Sequence, residues 1–115
     1  MKRLLNFYVA SDGNFTVDNV LNYPNPFTTQ TQFHFDHNAG GQELDVRVQI
    51  FTVSGKLVKT IDHRELADSY HIGPLHWDGR DEFGDKIARG TYVYKVKVTN
   101  QFGQTVEKYE KLVIL

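Results

Sequence analysis

Leu44-Asp45-Val46-Arg47-Val48-Gln49-Ile50-Phe51-Thr52-Val53 is the stretch that decides the fold class. Leu44, Val46, Val48 and Ile50 recur at every second position, with Asp45, Arg47 and Gln49 between them. Side chains of a strand alternate between its two faces, so this run has one dry face and one wet face. Wound as a helix, the same residues would scatter polar groups all around the axis. Ser54-Gly55 breaks the run, and residues 56–61 are predicted to return as its hairpin partner, with Gly55 in the turn.

Working outward, the same period recurs and a helical one does not. Thr91 opens a second clear strand over residues 91–99, with Tyr92, Tyr94, Val96 and Val98 on one side. After a turn at 100–104, residues 105–115 form the last strand. Its register is predicted by pairing Val98 with Val106, Lys97 with Glu107, Thr99 with Thr105 and Tyr92 with Leu112. A slip of one residue would set Lys97 against Val106 and lose both the apolar and the opposite-charge pairs, each worth roughly 0.2–1 kcal/mol. Towards the N-terminus, Thr31-Gln32-Phe33-His34-Phe35-Asp36 alternates with Phe33 and Phe35 inward, and 38–41 is a turn. An early strand is predicted over 14–21, with Phe15, Val17 and Val20 as its apolar members. Asn22-Tyr23-Pro24-Asn25-Pro26-Phe27 is read as an ordered extended loop closed by Tyr23 and Phe27, because each Pro removes a donor and restricts its predecessor. Residues 62–74 are polar and irregular, and predict a loop or one short helical turn around 64–67. Leu75-His76-Trp77 is a short strand, followed by the dense turn Asp78-Gly79-Arg80-Asp81-Glu82-Phe83-Gly84-Asp85. Seven short runs separated by Gly, Asn, Asp and Pro predict an all-β sandwich or barrel.

A length of 115 residues is that of one domain, divided here into a lead at 1–20 (an early strand or the remnant of an upstream domain) and a body at 21–115. A net charge of −1 provides no basic field for nucleic acid. The absence of Cys excludes disulfides, thiolate metal sites and a Cys nucleophile in this chain. Met1-Lys2-Arg3 looks like the start of a leader, but no apolar run reaches seven residues, short of both a secretory signal and a transmembrane segment. An exported chain of this kind would take its leader from a longer parent.

Chemistry is sparse. Asp78, Asp81, Glu82 and Asp85 are the best metal candidates, but Arg80 lies among them and the spacing is not that of a calcium loop. Asp and Gly are also what tight turns require, which is the reading adopted. His34, His37, His63, His71 and His76 show no zinc spacing, and His34 and His37 should point to opposite faces. No nucleophile elbow or phosphate loop is present, and no cofactor is implied. Trp77 is expected to plug the core. Tyr92 and Tyr94 are expected in the core as well, the alternative being a platform that stacks on sugars.

Four segments together resemble one family: the 22–27 motif, the hairpin Val48 to Val58, the run from Trp77 through Gly79 and Gly84 to Gly90, Tyr92 and Tyr94, and the closing strand from Lys108. The pattern is similar to type IX secretion C-terminal domains, which are similar to the immunoglobulin-like domain of the flagellar hook-capping protein FlgD. This copy looks closest to the one borne by the sortase of that system. The resemblance implies an immunoglobulin-like antiparallel sandwich of about seven strands. Tyr23, Pro24, Asn25, Pro26, Phe27, Gly55, Trp77, Gly79, Gly84, Gly90, Tyr92 and Tyr94 would be its structural motif residues. It also implies a non-catalytic address for export through the periplasm to the outer-membrane surface. Type IX translocon or attachment-complex proteins would be the partners, recognising Lys111, Leu112, Val113, Ile114 and Leu115. Cargo domains often close on a basic residue, and this chain closes on Leu115, which favours the retained, sortase-type role. A carbohydrate-binding module and a structural spacer are the alternatives. The first expects exposed aromatics; the docking reading expects a free strand edge at the tail.

Overall fold

A computed structural model describes residues 14–115, and its regular elements are seven antiparallel strands. They are β1 (Val17–Tyr23), β2 (Thr31–His37), β3 (Glu43–Thr52), β4 (Leu57–Leu66), β5 (His71–Trp77), β6 (Gly90–Thr99) and β7 (Thr105–Ile114). One sheet has the order β1-β2-β5 and the other β4-β3-β6-β7. Their inner faces meet in an immunoglobulin-like sandwich, as the alternation in β3 requires: Leu44, Val46, Val48 and Ile50 are all buried.

The core is a layer of β-branched residues with an aromatic cluster at one end. Phe33 stacks near Trp77 with ring centroids 6.4 Å apart and meets Tyr94 edge-on at 4.9 Å, while Phe27 meets Trp77 edge-on at 5.7 Å. Such pairs add about 0.5–1.5 kcal/mol beyond the area they bury. Trp77 also donates from Nε1 to the Arg80 carbonyl at 3.0 Å, so the ring that fills the core also fastens the following turn. The last hairpin has the predicted register, with Val98 opposite Val106, Lys97 opposite Glu107, Thr99 opposite Thr105 and Tyr92 opposite Leu112.

Four sequence expectations are corrected. First, β1 runs to Tyr23 rather than stopping at 21. Pro24 lacks only its own donor, so Asn22 and Tyr23 still pair with Phe33 and Gln32. A bulge at Asn19, whose φ is 54°, resets the alternation so that Val17 and Asn22 both face inward. Second, Tyr23 does not close the loop; it is 72% exposed. Asn22 takes that role, donating from Nδ2 to Thr31 Oγ1 at 3.1 Å, while Thr31 Oγ1 donates to the Pro24 carbonyl at 2.8 Å.

Third, residues 64–67 hold no helical turn, because β4 continues to Leu66. It is an edge strand, so its inward positions past Ile61 are His63 and Glu65, which bond each other at 2.6 Å at the rim of the core. Asp62 and Arg64 face outward and pair with Arg47 and Asp45. Polar residues on both faces erase the period that the sequence reading sought. Fourth, β5 begins at His71 and passes through Gly73-Pro74. An edge strand tolerates Pro, and an extra residue here, against β2, turns both Ile72 and Leu75 inward. Of the lead at 1–20, residues 1–13 lie outside the described residues.

Candidate functional site

The predicted recognition residues sit at the end of β7, an edge strand that, among the described residues, pairs with β6 alone within its sheet. Alternation divides them. Leu112 and Ile114 point inward and are buried, so they are core anchors. Lys111 and Val113 point outward, opposite Val93 and Thr91, and Leu115 is 62% exposed beyond the strand.

The backbone edge of this tail is already occupied, which corrects the expectation of a free rim. Phe27 N–H donates to the Val113 carbonyl at 3.0 Å, and Leu115 N–H donates to the Phe27 carbonyl at 2.9 Å. Asn25 completes the mimicry of a strand: its Oδ1 accepts from Val113 N–H at 3.0 Å and its Nδ2 donates to the Lys111 carbonyl at 3.2 Å. The 24–27 segment therefore works as a short false strand, held by Phe27, whose ring is 2% exposed and lies against Trp77.

These bonds establish that the odd-numbered residues of β7 aim their backbone groups outward. The register with β6 is unbroken, so Thr105, Glu107 and Tyr109 do the same. Among the described residues no strand pairs with them. The free edge thus lies over 105–109, nearer the start of β7 than the tail. Beside it, the outer face of the sheet carries charged pairs: Arg47 with Asp62, Arg64 with Asp45, and Lys95 with Glu107 at 3.7 Å. Hydrogen bonding first, and then the opposite charge, hold both Arg47 and Arg64 above the ordinary guanidinium range. At the far end the face becomes apolar, with Phe51 and Val93 in one row with Lys111, and Val113 one step on.

Gly55, Gly79, Gly84 and Gly90 all have positive φ at turns or strand starts. Trp77, Tyr92 and Tyr94 are buried, at 3%, 8% and 0% exposure, so they form no platform for a sugar. Tyr92 donates its hydroxyl to the Ala88 carbonyl at 2.6 Å. Burial, and secondarily the Glu110 charge, push the Tyr94 hydroxyl well above the usual tyrosine range. Among the described residues the exposed aromatics lie elsewhere, at Tyr23, Tyr70, Phe83, Phe102 and Tyr109.

The acidic candidates serve their own turn. Asp81 Oδ1 accepts from Phe83 and Asp85 N–H at 2.9 and 3.0 Å, and Asp78 Oδ1 accepts from Arg80 N–H at 3.2 Å. Glu82 reaches across to Lys59 at 3.2 Å. Asp85 bonds through its backbone, its carbonyl accepting from Asp81 N–H at 2.8 Å. Among the described residues no three of His, Cys, Asp or Glu gather to hold a metal ion. No described helix is long and apolar enough to cross a membrane. The histidines are less scattered than expected: His34 and His71 touch, because the bulge in β5 sets His71 on the outer face that His34 occupies.

The FlgD Ig-like domain family matches residues 22–102. Dimeric latent PorU from Porphyromonas gingivalis is similar in structure, with 26% identity, a TM-score of 0.76, and coverage of 96% of this chain but only 10% of that protein. The chain therefore spans about one tenth of that protein's length. CopC from Methylosinus trichosporium OB3b shares the fold at 18% identity and a TM-score of 0.52, covering 88% of this chain and 93% of its own. No curated protein matches the sequence.

Proposed function

Because this chain belongs to the FlgD Ig-like domain family, we propose that it is a non-catalytic sorting or docking module of type IX secretion. In this reading it rides on a longer parent, passes through the periplasm, and engages the translocon or an attachment complex at the outer-membrane surface. The observation that carries the proposal is the 26% identity sustained over 96% of the chain to a small part of PorU. An end-to-end match to a tenth of a longer protein is what a portable module gives. Any chemistry of the parent then belongs to its other domains.

The surface supports docking in a revised form. The tail offers side chains rather than backbone: Lys111 and Val113 on the outer face and Leu115 beyond it. The edge at Thr105, Glu107 and Tyr109, unpaired among the described residues, adjoins them and suits strand addition.

Deleting the last five residues would be a poor test, because it removes the core anchors Leu112 and Ile114. A better one fuses the full chain to a reporter in a bacterium that has the type IX machinery, and compares it with the Lys111→Glu, Val113→Thr, Leu115→Ser triple variant. The wild-type fusion is expected at the surface and the folded variant in the periplasm. A variant displayed like wild type, or a wild-type fusion that never leaves the periplasm, refutes the proposal; the second result is the one a structural spacer gives.

A further inference from the structure

The outer face of the three-stranded sheet carries a chain of polar side chains that docking through β7 does not use. His34 on β2 and His71 on β5 lie side by side, with His34 Nδ1 3.0 Å from His71 Nε2 and ring centroids 5.2 Å apart. His71 Nδ1 is 2.7 Å from Asp36 Oδ1, and Asn19 Nδ2 donates to Asp36 Oδ2 at 2.9 Å. The His71 contact first, and Asn19 second, hold the Asp36 carboxyl below its usual range. An ionised carboxylate only accepts, so His71 carries its proton on Nδ1. Its Nε2 lone pair is thereby aimed at His34.

The backbone is shaped for this pair. Gly73 lies beneath His34, and a Cβ there would come within 2.6 Å of His34 Nδ1 and 2.8 Å of the Phe33 carbonyl. Its φ of 134° is also one that other residues rarely adopt. The β5 bulge at Gly73-Pro74 is thus both what brings His71 to this face and what gives the His34 ring its space. Desolvation, and then the neighbouring His71 and His76, lower the His34 pKa; neutral imidazole is the form that ligates a metal.

We propose that His34 Nδ1 and His71 Nε2 form a two-nitrogen site for a divalent late transition metal, copper(II) in preference to zinc. With metal–nitrogen bonds of about 2.0–2.1 Å, nitrogens 3.0 Å apart subtend roughly 95° at the metal. That is the cis angle of tetragonal coordination, which copper(II) and nickel(II) adopt, and copper(II) heads the affinity order. In the metal-free chain one proton lies between the two nitrogens. Ligation moves it from His34 Nδ1 to Nε2 of the same ring, and a small rotation of the rings turns both lone pairs to the metal. Asp36 is the outer carboxylate that orients a ligating histidine. No third side chain completes the set among the described residues, so water fills the other positions and binding depends on both rings.

The test is titration of the full 115-residue chain with copper(II) alone in a non-coordinating buffer, followed by electron paramagnetic resonance. One equivalent should bind with hyperfine structure from two nitrogens. His34→Gln and His71→Gln should each remove that signature, Asp36→Asn should weaken binding about 10–100-fold, and His63→Gln on the other sheet should change nothing. Circular dichroism checks that each variant is folded, which their outer-face position favours. Failure to bind one equivalent, or the same spectrum and affinity in the His34→Gln, His71→Gln double variant, overturns the assignment.

Discussion

Asn25→Ala is the most informative perturbation, because it separates the clamp on the tail from the core beneath it. The Asn25 side chain makes two hydrogen bonds to β7, at 3.0 Å to Val113 N–H and 3.2 Å to the Lys111 carbonyl. Both are exposed, so water takes over the freed groups, and each bond contributes near the lower part of the 0.5–1.5 kcal/mol range, about 1–2 kcal/mol together. Phe27→Ala should be worse, at about 3–5 kcal/mol, because it empties a buried site against Trp77. Urea denaturation measures both losses, and an unchanged slope for Asn25→Ala would show that the fold is intact. Amide hydrogen exchange locates the effect. The Val113 amide loses its acceptor and should exchange more than about 30-fold faster through local opening, while Val46 and Val48 in central β3, which open only with global unfolding, should accelerate by the about 5–30-fold that corresponds to 1–2 kcal/mol. If Val113 exchanges as in wild type, or if Asn25→Ala costs as much as Phe27→Ala, the account of 24–27 as a false strand is wrong. In the reporter fusion, faster surface delivery of Asn25→Ala would show that the machinery pairs with the tail edge, and unchanged delivery that it reads the outward side chains.

Other predictions follow from single groups. Tyr94 is fully buried and its hydroxyl has no hydrogen-bond partner among the described residues, so Tyr94→Phe should stabilise the domain by about 1 kcal/mol in urea; a loss of stability would mean the hydroxyl is satisfied. Gly79 has a φ of 74° with room for a Cβ, so Gly79→Ala should cost about 1–2 kcal/mol through backbone strain alone and Gly79→Asn less; equal costs would argue for a steric cause. His37 is buried, and desolvation outweighs the nearby Asp36 and Glu65 to lower its pKa below 6.5. The unfolded chain then binds more protons in this range, so His37 contributes stability that is fully present above pH 6.5 and lost as pH falls towards the lowered value. His37→Asn keeps an acceptor for Ala39 N–H and cannot titrate, so its melting temperature should fall less between pH 7.5 and 5 than that of wild type; parallel curves would exclude His37 as the cause.

Legibility in the sequence followed burial. β3 and β6 are central strands with one face against the core, so Leu44 to Ile50 and Tyr92 to Val98 alternate without interruption. The β6–β7 register was readable because it is a local hairpin with distinctive partners. The edge strands β4 and β5 were read poorly. The inward positions of β4 past Ile61 are His63 and Glu65, and β5 contains Gly-Pro, so neither had the apolar rhythm of a strand. The candidate recognition residues were located as a segment, but their division into anchors and exposed side chains rests on which face of β7 meets the other sheet.

Local chemistry in the chain determined the strand period, the turns built from Gly, Asp and Asn, the last hairpin's register and the aromatic plug. These depend on residues near one another in sequence, or on a simple count of two. The tertiary structure alone decided that Asn25 and Phe27 cover the edge of a tail 86 and 88 residues away, and that a bulge brings His71 to His34. Neither has a sequence signal, because both arise where separate strands meet. A one-residue slip in a strand exchanges its two faces, and pattern alone cannot say which partner waits on either side.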